Sequence, residues 1–204
     1  MEVEFCSSET KENLMRAFAG ESQARNRYTF AASEAKKQKQ HVVEAVFTFT
    51  ANQEQEHAEV FYNLLNECAG ETVTVDGTYP IDQSESLQTL LEMAQHNEYE
   101  EHDDVYKHFG DKAKEEGFTK VANMFHMIAK IEKTHGDRFG KLAKLIEEDK
   151  LYVSDVKTGW MCLNCGYIIE STGAPAKCPV CDHDQGYFIR LELAPFSSER
   201  LIEE

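Results

Sequence analysis

The sequence predicts a mainly α protein: a four-helix bundle followed by a small, loop-rich β module held together by metal. Three observations predict it. Residues 8–149 contain one proline, Pro80, and are rich in Ala, Glu, Lys and Gln, the composition of long helices. Beyond residue 158 the texture changes, with Gly159, Gly166, Gly173, Pro175, Pro179 and Gly186 in quick succession. Four of the six cysteines form two Cys-x-x-Cys pairs in that same stretch.

The helices are placed at 8–37, 41–68, 83–110 and 117–148. Ser8 is a candidate N-cap, Gly70 and Gly110 are stop signals, and Ser84 opens the third helix with Glu85 behind it. Residues 71–83 form the longest non-helical stretch, in which Thr72–Val75 has an extended pattern. That long connection lets the third helix run parallel to the second, whereas short loops force the other pairs antiparallel. Apolar stripes give each helix a face to bury. The second offers Val43, Val46, Phe47, Phe61, Leu64 and Leu65; the fourth offers Val121, Phe125, Ile128, Ile131, Phe139 and Leu142. In the module, Tyr167–Ile169 and Tyr187–Leu191 read as short strands. A unit this small buries too little apolar surface to stand without a staple.

The 204 residues carry a net charge of -16, which excludes a nucleic-acid binder built on clustered Lys and Arg. Some of the acid is expected on the surface and some turned inward to hold cations. No apolar run reaches membrane-spanning length. The start, Met1–Cys6, is acidic and has no apolar stretch of a secretory signal, so a cytoplasmic, reducing setting is expected. Cys6 and Cys68 then read as lone thiols, Cys6 in a mobile terminus and Cys68 partly buried and inert.

What needs explaining is the Glu and His that interrupt the stripes. Glu54–His57 and Glu132–His135 are both Glu-x-x-His, on the second and fourth helices. At that spacing two side chains sit about one turn apart on one face and can reach one ion. The first helix supplies Glu21 and the third Glu98. Glu21 to Glu54 is 33 residues and Glu98 to Glu132 is 34, so two helix pairs look like copies of one unit. One Glu from two helices and Glu-x-x-His from the other two is the donor pattern of di-iron carboxylate bundles. Buried carboxylates cost several kcal/mol each unless neutralised, and two divalent cations supply that. Glu101, three residues after Glu98, is a fifth carboxylate. It is expected to bind one iron when ferric and yield to His57 when ferrous. Glu56, Glu59, His102, His108 and His126 are expected at the surface or behind the donors.

Cys162, Cys165, Cys178 and Cys181 are the second set. Four thiolates suit tetrahedral iron or zinc, and spacing alone leaves the metal open.

With the loops Cys162-Leu-Asn-Cys165-Gly166-Tyr167 and Cys178-Pro-Val-Cys181 added to the Glu-x-x-His pair, the chain resembles the rubrerythrins over nearly its full length. The resemblance implies a ferritin-like four-helix bundle at 1–149, a linker at 150–157 and a rubredoxin-like domain with its tail at 158–204. It turns the cysteine site to iron, making three iron ions per chain. It implies Glu21, Glu54, His57, Glu98, Glu101, Glu132 and His135 as di-iron ligands, with Tyr28 and Tyr106 bonded to carboxylates. Tyr28, seven residues after Glu21, shares its helix face; Tyr106 does not follow from periodicity.

The implied activity is reduction of hydrogen peroxide in oxidative stress defence, with electrons from an external reductase or rubredoxin. No glycine fingerprint for a dinucleotide occurs. Ferroxidase or iron storage, and a peroxide sensor, are the alternatives. The cysteine module favours electron transfer over storage. With no Gly or Pro in 149–158 to signal a return, the module is expected beyond the bundle end. A head-to-tail homodimer then brings it over a neighbour's di-iron centre.

Overall fold

The computed structural model describes residues 3–195. Helices α1 (Glu9–Lys37) and α2 (His41–Leu64) form an antiparallel hairpin. A crossover at 65–86 leads to α3 (Leu87–Glu100), a π-helical turn (Glu101–Val105), α4 (Tyr106–Glu115) and α5 (Thr119–Glu147). Three strands follow: β1 (Val153–Cys162), β2 (Ile168–Gly173) and β3 (Phe188–Arg190), antiparallel in the order β2-β1-β3. Among the described residues no helix is long and apolar enough to cross a membrane. The tail 196–204 and Met1–Glu2 lie outside the described residues.

Ser8 caps α1 by accepting from the Lys11 amide at 3.0 Å. The third helix departs from expectation at both ends. It starts at Leu87, where Ser86 rather than Ser84 is the cap, accepting from Thr89 N–H. It also does not stop at Gly110, which is buried inside α4. A Cβ there would lie 2.7 Å from the His126 ring, so this glycine serves a close helix crossing. The stop is Gly117, at φ +94. Thr72–Val75 forms no strand, and Ile131 points outward, 37% exposed.

Cys6 and Cys68 are joined in a disulfide, correcting the expectation of two lone thiols. The hairpin explains it. Antiparallel helices of similar length put residues just before α1 beside residues just after α2, and both cysteines sit in short 3-10 turns there.

Two apolar clusters fill the bundle. One gathers Tyr28, Val43, Phe47, Leu91 and Phe139; the other gathers Leu14, Phe61, Tyr106 and Phe125. On every helix the Glu and His positions fall between the two, so the donors form one polar layer inside an apolar column.

The module has its own core of Trp160, Cys162, Cys178 and Phe188. It turns back onto its own bundle, against the expectation of a chain that continues outward. Asp149 adopts φ +55 just past α5, a left-handed stop that Asp tolerates, and the chain reverses there. Ile189 joins the Val42–Phe139 cluster, and the Tyr187 ring stacks on His41 at 3.9 Å. Strand β1 opens at Val153, inside the stretch 150–157.

Candidate metal centres

The donors of the polar layer converge from four elements: Glu21 on α1, Glu54 and His57 on α2, Glu98 on α3, Glu132 and His135 on α5. All are buried, the five other than His57 to within 1% of full burial. They divide into two sets of four whose ligand atoms lie within 4.8 Å of one another. One is Glu21, Glu54, His57 and Glu132; the other is Glu54, Glu98, Glu132 and His135.

Glu54 and Glu132 belong to both. His57 Nδ1 lies 3.0 Å from Glu54 Oε2 and 2.9 Å from Glu132 Oε1. His135 Nδ1 lies 3.0 Å from Glu54 Oε1 and 2.9 Å from Glu132 Oε2. Each of these carboxylates therefore offers one oxygen to each set, the geometry of a bridging ligand. Glu21 and Glu98 serve one set each. Tyr106 donates its hydroxyl to Glu21 Oε1 and Tyr28 donates to Glu98 Oε1, leaving each Oε2 turned inward. The two halves repeat, as the 33- and 34-residue spacings imply.

The inward atoms have no protein partner of hydrogen-bond geometry: both oxygens of Glu54 and Glu132, Oε2 of Glu21 and Glu98, and Nδ1 of both histidines. Buried polar atoms are almost always bonded. Eight left facing a common space fit a pair of cations. Charge says the same. Burial disfavours the His57 imidazolium, but contacts with Glu132, Glu21 and Glu54 push its pKa far up; the same balance, with Glu132 and Glu54 foremost, raises His135 to about 12. Burial raises Glu54, yet His135 and His57 hold it down at about 2. Burial and then Glu132 push Glu21 up to about 8, and burial followed by Glu54 raises Glu98. Without metal, protons on the imidazoles and carboxyls neutralise the layer; cations would displace them.

Glu101 lies outside both sets. It is half-buried, and its carboxyl is pushed well up by burial and then by Glu21. The π-turn begins at this residue and explains Tyr106. In an unbroken α-helix Tyr106 would lie roughly 80° from the Glu98 face; one inserted residue removes about 100°, bringing it back within about 20°. Nothing in the run His102-Asp103-Asp104 marks that turn. The other expected bystanders fit: Glu56, Glu59 and His108 are exposed, and His102 Nδ1 contacts the Ala129 carbonyl at 2.7 Å.

The four thiols meet likewise. Cys162 and Cys181 sulfurs are 3.7 Å apart and those of Cys165 and Cys178 3.6 Å, all four within 4.8 Å. Each Cys-x-x-Cys loop closes on a left-handed residue, Gly166 (φ +76) and Asp182 (φ +59). Gly166 N–H bonds the Cys162 carbonyl at 2.8 Å and Asp182 N–H that of Cys178 at 2.9 Å. The His183 N–H holds the Cys181 thiol down at about 6. Four converging sulfurs with no disulfide among them suit one tetrahedral ion.

Comparison with known proteins agrees with both sites. The rubrerythrin family model matches residues 12–143, and that of the rubrerythrin rubredoxin-like domain matches 160–189. A rubrerythrin of Clostridium perfringens is 46% identical over 182 residues, covering 89% of this chain and 93% of that one. A nigerythrin solved in a mixed-valence state shares 29% identity at a TM-score of 0.59, over 90% of each chain. The bacterioferritin of Desulfovibrio desulfuricans, 19% identical at a TM-score of 0.55, covers 71% of this chain and 87% of its own and shows the fold alone. With a carboxylate–histidine di-iron site and a four-cysteine rubredoxin-like site on one chain, this protein belongs to the rubrerythrin family.

Proposed function

We propose that the chain is a cytoplasmic non-haem di-iron peroxidase that reduces hydrogen peroxide to water in oxidative stress defence. The observation that carries this reading is the pair of bridging carboxylates, Glu54 and Glu132, joining two unsatisfied donor sets on a chain that also holds four convergent thiols. Glu21, Glu54, His57 and Glu132 would hold one iron, and Glu54, Glu98, Glu132 and His135 the other. When bound, the iron pair supplies the two electrons that cleave the O–O bond. The protein's part is to place donors and protons. Tyr28 and Tyr106 fix the terminal carboxylates. Glu101, held toward its protonated form outside both sets, keeps a proton beside the site for the departing oxygen. His57 belongs to the Glu21 set and Glu101 lies outside it; in the ligand-exchange reading Glu101 would bind that iron when ferric and yield to His57 when ferrous. The thiols of Cys162, Cys165, Cys178 and Cys181 would hold the third iron, whose chemistry when bound would be one-electron transfer from an external reductase or rubredoxin.

The test is multiple-turnover peroxide consumption by protein carrying three irons per chain, driven by a reduced rubredoxin. Absence of turnover with both sites loaded sinks the reading. Particle mass separates a small oligomer from the hollow shell that iron storage needs.

We further propose that electrons cross between subunits of a head-to-tail homodimer. The module rests on α2 at His41, and Leu163 of the Cys162 loop lies beside Ala45 and Phe49, so it spans positions eight to sixteen residues before His57, roughly 12 to 24 Å along α2. Mixed dimers of Cys162→Ser with Glu54→Ala/His57→Ala chains should recover part of the donor-driven rate. Verified heterodimers that stay inactive place the path within one chain.

A further inference from the structure

The crossover at 65–86 does more than join α2 to α3. Beneath it lies a cavity of about 190 Å³. Gly20, next to Glu21, and Asn97, next to Glu98, form part of its floor, and Glu101 and Tyr106 stand in its wall. The roof is Gly77-Thr78-Tyr79-Pro80. Within the polar layer Glu21, Glu54, Glu98 and Glu132 are sealed from solvent, whereas Glu101 is half-buried and borders this cavity.

The roof is built in place. The Tyr79 ring lies 3.9 Å from where a Cβ on Gly20 would stand, and it folds back over Gly77, where a Cβ would meet it at 2.7–2.8 Å. Its hydroxyl donates to the Arg16 carbonyl at 3.3 Å. Each end of the roof is tied to α1. Arg16 Nη2 donates to Asp76 Oδ1 at 2.9 Å, and Arg27 Nη1 pairs with Asp82, which also accepts from Asn97 Nδ2 at 2.8 Å. The ties differ in strength. The Asp82 side chain is 13% exposed and that of Asp76 is 94% exposed. An exposed pair contributes little and a shielded one more, so the Asp82 end is the fixed edge and the Asp76 end the one that lifts.

The lining joins Arg16 and Arg27, each already paired with an aspartate of the crossover, to Glu100, Gln23, Asn97 and the Glu101 carboxyl, with Ala17, Val105 and Phe109 as its apolar part. Such a wall favours a small polar molecule over a large or strongly charged one. The volume is many times the roughly 10–15 Å³ that one water needs, so it admits a molecule of peroxide's size together with solvent.

We propose that this cavity is the access site by which hydrogen peroxide reaches the di-iron centre, with Glu101 and Tyr106 at its inner end and the Tyr79 roof excluding bulky organic hydroperoxides. The inference rests on the di-iron peroxidase reading and adds the route and its selectivity. Its test is the rate at which azide binds the iron-loaded, oxidised full-length protein, followed by absorption. Thr78→Trp, which fills the roof from the solvent side, should slow association about tenfold. Tyr79→Ala should speed it several-fold. Both should leave the final spectrum and the iron content unchanged, since neither residue contacts the donor sets. Tyr79→Ala should also raise the rate with cumene hydroperoxide relative to hydrogen peroxide. Association within twofold of the parent in both variants overturns the route. Azide binding needs no turnover. Altered association in a protein that consumes no peroxide therefore removes the peroxidase reading and leaves the route standing.

Discussion

The two metal-binding regions solve one problem in opposite ways. The thiols sit on two short loops in a module of about forty residues, each loop folded by its own backbone bonds to Gly166 and Asp182. The carboxylates and imidazoles come from four helices spread over more than one hundred residues and meet only once the bundle has packed. In the module the donors are local and part of the core, as buried Cys162 and Cys178 show. In the bundle the donors form a polar layer between two apolar clusters that hold the helices without them. A local site needs its metal to fold; a site inside a packed bundle can exist with protons in its place.

Metal removal should therefore separate the regions most widely. Glu132→Ala deletes a carboxylate shared by both donor sets, so both irons of the bundle should be lost and peroxide turnover should fall by about 10³-fold or more. The helices should persist by circular dichroism. Cys162→Ser should instead lose the module's iron and all donor-driven turnover, while a prereduced di-iron site still reacts once with peroxide. Loss of that single reaction in Cys162→Ser ends the division of labour.

The next largest effect concerns the helical region's own staple. The Cys6–Cys68 disulfide closes a loop of 62 residues, for which chain entropy gives about 4 kcal/mol as an upper figure. Cys6→Ser should lower the Tm of the bundle and leave the module's ferric-thiolate absorption unchanged. A variant that melts with the parent shows the pair reduced in solution.

How far each region could be read from the chain follows from the same contrast. Cys-x-x-Cys is visible in any ten residues, and Glu-x-x-His on a helix nearly so, because both are sets by local spacing. Pairing Glu21 with Glu98 needed the repeat of 33 and 34 residues, a long-range signal that happened to be numerical. Tyr106 was beyond periodicity because the π-turn at Glu101–Val105 shifts the phase by one residue, and such a turn has no local composition. The Cys6–Cys68 bond is legible in principle, since residues flanking an antiparallel hairpin are neighbours, but the expectation of a reducing setting left the two cysteines as lone thiols and their nearness unexamined. Asp149 and Asp182 carry left-handed turns that a search for glycine passes over.

A smaller effect tests the internal symmetry of the bundle site. Tyr28→Phe and Tyr106→Phe each remove a single donor to a terminal carboxylate. Residues that orient metal ligands are typically worth 10- to 100-fold in affinity, so each should weaken iron binding by about that factor, and by similar amounts. Metal titration of the two variants against the parent measures both. An effect confined to one tyrosine means the repeat is geometric only.

The smallest effect supplies a carboxylate to compare with the orphaned ones. Glu116 lies outside both sites and is satisfied by protein alone. It accepts from Thr10 N–H at 2.9 Å, from the Thr10 hydroxyl at 2.6 Å and from Glu9 N–H at 3.2 Å, so it fastens the free amides of the α1 N-terminus to the α4–α5 turn. Burial pushes its carboxyl up, but these bonds outweigh it and leave the folded value below the usual 4.5. A carboxyl lowered on folding contributes stability above its unfolded value and loses it as pH falls through its folded value. Glu116→Gln, which keeps one accepting oxygen and no charge, should therefore lower stability by about 1 kcal/mol at pH 7. The gap should narrow as pH falls below the usual 4.5 and close only once pH has passed below the lowered folded value, where the parent carboxyl is also neutral. Urea melts of both proteins from pH 7 to pH 3 measure it. A gap that stays constant across that range shows that the ionised form contributes nothing at Glu116, and that bonds to the neutral group suffice to hold α1 in place.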